Sequence, residues 1–432
     1  MTKARQAYGK GTLAVQGTYQ PKNGEPRVLP LYQSTTFAYE QAEDVAALFD
    51  LSAEGHLYSR ISNPTVAVFE EKIALLEDGV AAVATSSGMA AIFNSILNIA
   101  KAGDNILSSK TIYGGTTNLF AVTLPKFGIT TRFFDQDASP EEIIALADQN
   151  TKLVFGETIA NPGLNVFDFE KFHSICKILD LPLIIDSSLT GPALCNPLKH
   201  GANIVVHSTT KYIDGHATAL GGIVIDGGNF NWDNGKFDEL VLPDDSYHGV
   251  RYVADFGQAA YATKLRVQLV RDLGNIQSPF NAYLSNLGSE TLALRSKKHS
   301  ENALAVAKWL QEQKDVSFVR YPGLETDSHY PLAQKYLPNG ASGMVTFGIK
   351  GGASAAKQFI NHLNFIQLVI HCADIRTSIL HPESSTHRQL NSEQLLESGV
   401  TEDLIRLSVG IEDTHDIIQD LAQALQACSL TN

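Results

Sequence analysis

Between residues 80 and 208 six short apolar runs follow one another: VAAVAT, DNILSS, ITTRFF, KLVFGE, PLIID and NIVVHS. None alternates apolar with polar, and each is bounded by Gly, Pro, Asn or Asp. Strands of that kind are buried on both faces. Helical stretches lie between them: GMAAIFNSILNIA, and PEEIIALADQ opened by Ser139 and Pro140, a good start signal. The pattern predicts an α/β domain with a mostly parallel sheet covered on both sides.

The flanking segments read differently. Residues 1–60 are rich in turn formers, as in QPKNGEPRVLP, and read as an arm lying on something else. Residues 226–250 read as a long polar loop at the domain edge, a length that is often functional. YATKLRVQLVRDLG and ETLALRSKKHSENALAVAKWLQEQ read as long helices, GMVTFGIKG as a strand and AAKQFINHL as a helix. The expected layout is an arm over 1–60, a large domain over 61–260 and a smaller α+β domain over 261–432. Within the last, the cluster KKHSEN reads as a solvated helix face, while Trp232 and Trp309 read as packing residues.

Composition narrows the function classes. A net charge of −13 argues against a general nucleic-acid surface. The cysteines Cys176, Cys195, Cys372 and Cys428 form no CxxC pair, so reduced thiols and no metal site are expected. The N-terminus lacks a signal-peptide h-region and no run approaches a membrane span; a cytoplasmic protein is expected.

The stretch HSTTKYIDGH places Lys211 just past the run NIVVHS, among hydroxyl residues. Lysine is rarely buried without a partner. Four other stretches bear on it, each with a plain reading beside a chemical one. TSSGMAAI is a tight strand-to-helix turn, or a phosphate site at a helix N-terminus. Asp186, ending LPLIIDSS, caps a turn, or faces a pyridinium nitrogen and keeps it protonated. Tyr113, before two glycines, packs in the core or stacks on a flat cofactor. Arg60, near Tyr58, is a solvated charge or a second phosphate clamp. Taken together they supply what pyridoxal 5'-phosphate (PLP) needs: Lys211 for its aldehyde, Ser208, Thr210 and the Gly88 turn for its phosphate, Asp186 for its ring nitrogen and Tyr113 for its ring face.

With YSRISNPT, SSGMAA, YGGT, ETIANP, IIDSS, HSTTKYIDGH, HPESSTH and LIRLSVGIED in this order, the chain resembles the Cys/Met-metabolism family of PLP enzymes. The resemblance implies an aspartate-aminotransferase-like fold (PLP fold type I). It implies that Lys211 bonds the cofactor, that Asp186 pairs with its ring nitrogen, and that Tyr113 stacks on it. It assigns Ser87, Gly88, Met89, Ser208 and Thr210 to the phosphate and Asn161 to the phenolic oxygen. Tyr58 and Arg60 match a pair donated to the neighbouring subunit's phosphate, which implies a homodimer and usually a dimer of dimers. Arg406 matches the arginine that grips the substrate's α-carboxylate. Lys211, Tyr113 and Tyr58 are the implied catalytic groups.

Within the family the likeness is to the O-acetylhomoserine sulfhydrylases. Methionine γ-lyases usually carry cysteine in place of Gly115, and the segment ending PDDSYHGV is shorter in them. The implied reaction is a γ-replacement of acetate by sulfide or methanethiol; the alternative is a methionine or cystathionine γ-lyase or a cystathionine γ-synthase. HCADIRTSILHP departs from the family, with His371 where Ser or Asn is common and Ala373 where Gly is common. A nucleotide-binding protein would explain the sheet, but no GxGxxG follows the first strand and no GxxxxGK[ST] occurs. A zinc site from His207, His216, His381 and His387 matches no metal motif.

Overall fold

The apolar runs pair into one seven-stranded sheet. The computed structural model describes residues 8–386, 388 and 399–429. Strands β1 (Ala81–Thr85), β2 (Asn105–Ser109), β3 (Thr130–Phe134), β4 (Thr151–Glu157), β5 (Leu183–Asp186), β6 (Ile204–Ser208) and β7 (Gly222–Asp226) are arranged β1-β7-β6-β5-β4-β2-β3. β3, β2, β4, β5 and β6 run parallel. β7 is inserted antiparallel between β1 and β6. This strand, GIVID, was not read from the sequence.

Burial on both faces is visible residue by residue. Val154, Leu183, Ile185 and Val205 face a core shared with Phe69, Ile73 and Phe172 of the helices Pro64–Glu77 and Phe169–Leu179. Their neighbours Leu153, Phe155, Ile184, Ile204 and Val206 face a second core, with Ile92 and Ile96 of helix Gly88–Leu97. Successive side chains of a strand point to opposite faces, so a continuous apolar run serves two cores. In the central strands β4 and β5 the polar side chains lie near the ends. Because the central strands are parallel, Glu157, Asp186 and Ser208 emerge on one edge of the sheet, where α/β sheets bind ligands.

A second sheet follows: β8 (Val316–Arg320), β9 (Met344–Ile349), β10 (Gln367–Leu368), β11 (Ser378–Leu380) and β12 (Leu404–Ser408), in the order β10-β11-β12-β9-β8. It is antiparallel apart from the β10–β11 pair. The helix Leu292–Gln311 crosses behind it. KKHSEN lies on this helix, and here the expectation of a solvated face is corrected. His299, Ser300 and Asn302 are buried; Asn302 Nδ2 donates to the carbonyls of Gly410 (3.0 Å) and Glu412 (2.8 Å). Only the lysines and the glutamate of that cluster mark a wet surface.

The 226–250 segment is less open than its polarity suggests. Trp232, Phe237, Leu240 and Tyr247 are buried, and Trp232 stacks on Tyr261 at 5.2 Å. Trp309 packs against the first core. The helix expected from YATKLRVQLVRDLG contains a π-helical stretch, Leu265–Val270. Among the described residues before Asn63, only Leu13, Ala14, Thr18 and Leu29 are buried, along with Gly17. Val28, Tyr32, Phe49 and Tyr58 stay exposed on this chain. No helix among the described residues is long and apolar enough to cross a membrane.

Candidate active site

A cavity of about 390 Å³ lies at the carboxyl edge of the first sheet, walled on its far side by the Ile370–Cys372 loop and Arg406 of β12. Lys211 enters it from the loop after β6. That loop is pinned from behind. Arg295 Nη1 donates to Tyr212 O at 2.9 Å, and the buried Tyr212 phenol accepts from Gly343 N at 2.9 Å. Gly215, at φ +70°, closes the loop, and a Cβ there would lie 2.0 Å from the Arg295 guanidinium. Such contacts fix Lys211 on a rigid turn.

One end of the cavity is made for an anion. Helix Gly88–Leu97 starts there, capped by Ser87 Oγ, which accepts from Ala90 N at 3.1 Å. The first N–H groups of a helix have no carbonyl partner within it, and the dipole adds positive charge. Gly88 lets this turn touch β6: a Cβ would sit 2.6 Å from Ser208 Cβ. Met89, Ser208 and Thr210 complete this wall. Thr210 is held in place by Gly221, whose N–H reaches Thr210 Oγ1 at 3.1 Å.

At the floor two carboxyls stand side by side, since Glu157 of β4 is in register with Asp186 of β5. Burial pushes both up, and the nearby Asp186 raises Glu157 further; the N–H groups of Tyr113 and Asn161 oppose this without cancelling it. The Glu157 carboxyl is thus pushed well above the ordinary carboxylate range. For Asp186 hydrogen bonds from Ser188 and the charges of His207 and Lys211 oppose the push of burial, and the net shift is still upward. Ser188 donates to Asp186 Oδ1 from Oγ (2.6 Å) and from N (2.9 Å). So Asp186 does cap a turn, and the same carboxyl also faces the cavity. Glu157 Oε1 in turn accepts Tyr113 N at 2.7 Å, placing Tyr113 at the rim.

The opposite wall comes from the second sheet. Arg406 is 5% exposed; its Nη2 donates to Ile370 O at 2.7 Å, while its Nε is buried without a partner. His371 lines the cavity, with Nε2 3.7 Å from Asp374. Burial and the Lys211 charge lower its pKa. The departure at Ala373 has a structural reading: its φ is +67°, a region that favours glycine.

Of the residues singled out in the sequence, Ser87, Gly88, Met89, Tyr113, Asn161, Asp186, Ser208, Thr210, Lys211 and Arg406 meet around this cavity. Tyr58 and Arg60 do not. Tyr58 is exposed, and Arg60 lies over its ring at 5.3 Å while donating to Arg271 O. The zinc histidines are dispersed among other partners. His207 pairs with Glu77 at 2.7 Å, His216 Nδ1 lies 2.7 Å from Asp214 O, and His381 Nε2 lies 2.8 Å from Glu402 O. His387 lies outside the described residues.

A lysine, a buried carboxyl, an aromatic ring at the rim and a helix N-terminus around one volume fit PLP. The sequence profile of the Cys/Met metabolism PLP-dependent enzymes matches residues 11–426. The chain belongs to this family. It is 44% identical to the O-acetyl-L-homoserine sulfhydrylase of Leptospira meyeri, over 96% of both chains. It is also 44% identical to the homocysteine synthase of Schizosaccharomyces pombe, over 93% of this chain and 94% of the other. A solved structure from Campylobacter jejuni that contains N'-pyridoxyl-lysine-5'-monophosphate superposes with a TM-score of 0.93 at 37% identity, covering 97% of this chain and 100% of that one. The fold is that of the family, and its cofactor is PLP.

This Cys/Met-metabolism enzyme adds cavity residues that the sequence reading missed: Glu157, Ser188 and Cys372. Glu157 begins the quoted ETIANP motif, but its meaning depends on strand register with Asp186, which is non-local. Its raised pKa predicts a pH effect. A carboxyl whose folded pKa is raised contributes stability below its unfolded value and loses it as pH rises through the folded value. Glu157→Gln, which keeps a neutral acceptor for Tyr113 N, is expected to flatten this loss. Urea midpoints measured from about pH 4 upward check it, and an unchanged slope counts against the assignment.

Proposed function

We propose that this enzyme catalyses γ-replacement on O-acetyl-L-homoserine, with sulfide or methanethiol as nucleophile. The products are L-homocysteine or methionine, and acetate. The observation that carries this reading is the convergence of Lys211, Asp186 and the unpartnered Nε of Arg406 on one cavity. It offers an amine-handling end and a carboxylate-gripping end. The names of the relatives at 44% identity point to the same reaction.

When bound, PLP supplies an electron sink for charge developing at Cα and Cβ of the substrate. The chain's residues do the rest. Ser87, Gly88, Met89, Ser208 and Thr210 hold the phosphate, and Asn161 the phenolic oxygen. Asp186 keeps the ring nitrogen protonated, and Tyr113 covers the ring face. Lys211 Nζ would hold the cofactor and, when free, would be the base placed to take the Cα proton. Arg406 orients the α-carboxylate through a planar fork that a lysine cannot reproduce. Arg406→Lys is therefore expected to raise KM for the amino acid about 10- to 100-fold with a smaller change in kcat; an unchanged KM removes Arg406 from this role.

Tyr58 and Arg60 lie away from their own chain's cavity, and the arm before them exposes apolar side chains. We assign both to the phosphate end and proton transfers of a neighbouring copy's site, in a dimer or a dimer of dimers. Mixing inactive Lys211→Ala with inactive Arg60→Ala subunits is expected to restore a fraction of activity, because some sites then combine two intact contributions.

Gly115 favours replacement over the lyase reading. A Cβ at Gly115 would come within 2.5 Å of the Tyr113 ring, so the bare backbone sets where that ring rests. Gly115→Cys is expected to displace Tyr113 and shift product from homocysteine towards 2-oxobutyrate and ammonia. The decisive assay is incubation with O-acetylhomoserine and sulfide. Homocysteine with acetate supports γ-replacement, and 2-oxobutyrate without homocysteine from the unaltered enzyme replaces it with the lyase reading.

A further inference from the structure

His371 stands in the cavity wall on the loop between β10 and β11. The loop is held from several sides. Ile375 N donates to Gly215 O at 2.9 Å, Arg376 Nη2 to His216 O at 2.6 Å, and Ala373 N to Ser408 Oγ at 2.8 Å. Beside the ring is Asp374. Its Oδ1 accepts Arg376 N at 2.7 Å and Arg376 Nε at 3.1 Å, and its Oδ2 lies 3.7 Å from His371 Nε2. Nε2 is buried and makes no hydrogen bond, so Nδ1 is the ring nitrogen left for the cavity. The rim of the cavity is apolar here. Ile370, the residue before His371, and Leu220 both line it while 71% and 65% exposed.

On the γ-replacement reading, we propose that His371, oriented by Asp374, is the general base that takes the S–H proton of an incoming alkyl thiol. The thiolate, not the thiol, is the nucleophile, so a thiol that arrives protonated needs such a base. Ser or Asn, common at this position in the family, offers none. A carboxylate beside Nε2 favours the proton on that nitrogen and leaves the lone pair on Nδ1. At 3.7 Å it acts as a charge rather than as a hydrogen-bond partner. The charged groups around the ring are Lys211, Asp374, Asp214 and Arg376; burial is the largest influence, and the net shift of the histidine is down. The ring is therefore neutral at neutral pH, the state a base requires. In the step, Nδ1 takes the proton from sulfur. The sulfur forms its bond to the substrate's Cγ in place of acetate, and the proton passes from Nδ1 to solvent. Each turnover thus releases one acetate and one proton. The thiol's alkyl group would rest against Ile370 and Leu220 at the rim.

The test gives wild-type and His371→Asn holoenzymes O-acetylhomoserine with either sulfide or methanethiol. The pH is mildly alkaline, where sulfide is already ionised and methanethiol is not. The ratio of methionine to homocysteine formation rates is expected to fall at least about 10-fold in His371→Asn. An unchanged ratio, whether the two rates hold or fall together, overturns the proposal. Wild-type enzyme that gives 2-oxobutyrate and neither product overturns the γ-replacement reading itself, so the two failures are distinguishable. A second readout needs no turnover. Diethyl pyrocarbonate modifies neutral imidazole, and peptide mass spectrometry follows the His371 peptide of the resting holoenzyme across pH. The midpoint of labelling is expected to move to lower pH in Asp374→Asn, because the carboxylate that favours the protonated ring is gone. An unmoved midpoint overturns the pairing with Asp374 on which the proposal rests.

Discussion

Lys211→Ala is expected to yield a folded protein that has lost the visible absorption of lysine-bound PLP, with turnover down by at least about 1,000-fold. In the proposed mechanism Lys211 provides two functions at one nitrogen, holding the cofactor and moving the Cα proton, so no neighbouring group replaces both. The fold should survive because the loop's anchors are Tyr212 and Arg295 rather than Lys211 itself. Absorption spectroscopy and the homocysteine assay check both halves. A variant that keeps its absorption and turnover would remove Lys211 from the mechanism.

Asp186→Asn is expected to keep the fold and most of the cofactor, yet slow turnover by about 100- to 1,000-fold. The amide oxygen can still accept both hydrogen bonds from Ser188, so the turn is preserved. What disappears is the negative charge that keeps the ring nitrogen protonated. Glu157 is a poor substitute for it, because burial and the nearby Asp186 push its carboxyl well above the ordinary range. Steady-state kinetics alongside cofactor titration separates the two effects: a loss confined to cofactor affinity contradicts the electron-sink role of Asp186.

The sheet strands from VAAVAT to NIVVHS were legible because burial on both faces leaves an unbroken apolar run. GIVID was equally apolar but was absorbed into a glycine-rich passage, and nothing local marks it as the antiparallel strand that joins β1 to β6. KKHSEN misled for a related reason. Side-chain polarity records chemistry, while burial of Asn302 records carbonyls supplied from Gly410 and Glu412, far along the chain. The site divides in the same way. Lys211, Asp186 and the Ser87–Met89 turn sit at strand ends, where a polar residue after an apolar run is conspicuous. Cys372 and Ser188 have no such contrast, and their relevance comes only from what folds against them.

The Tyr212 phenol, bonded to Gly343 just ahead of β9, ties the two sheets together beside the cavity. Lys211 follows a strand of the first sheet and Arg406 lies on a strand of the second. The residue directly after Lys211 bolts the two together. Under the roles proposed for Lys211 and Arg406, a joint outside the cavity lining would set the span open to a substrate, and altering it offers a way to retune which amino acids fit without changing a group that contacts them.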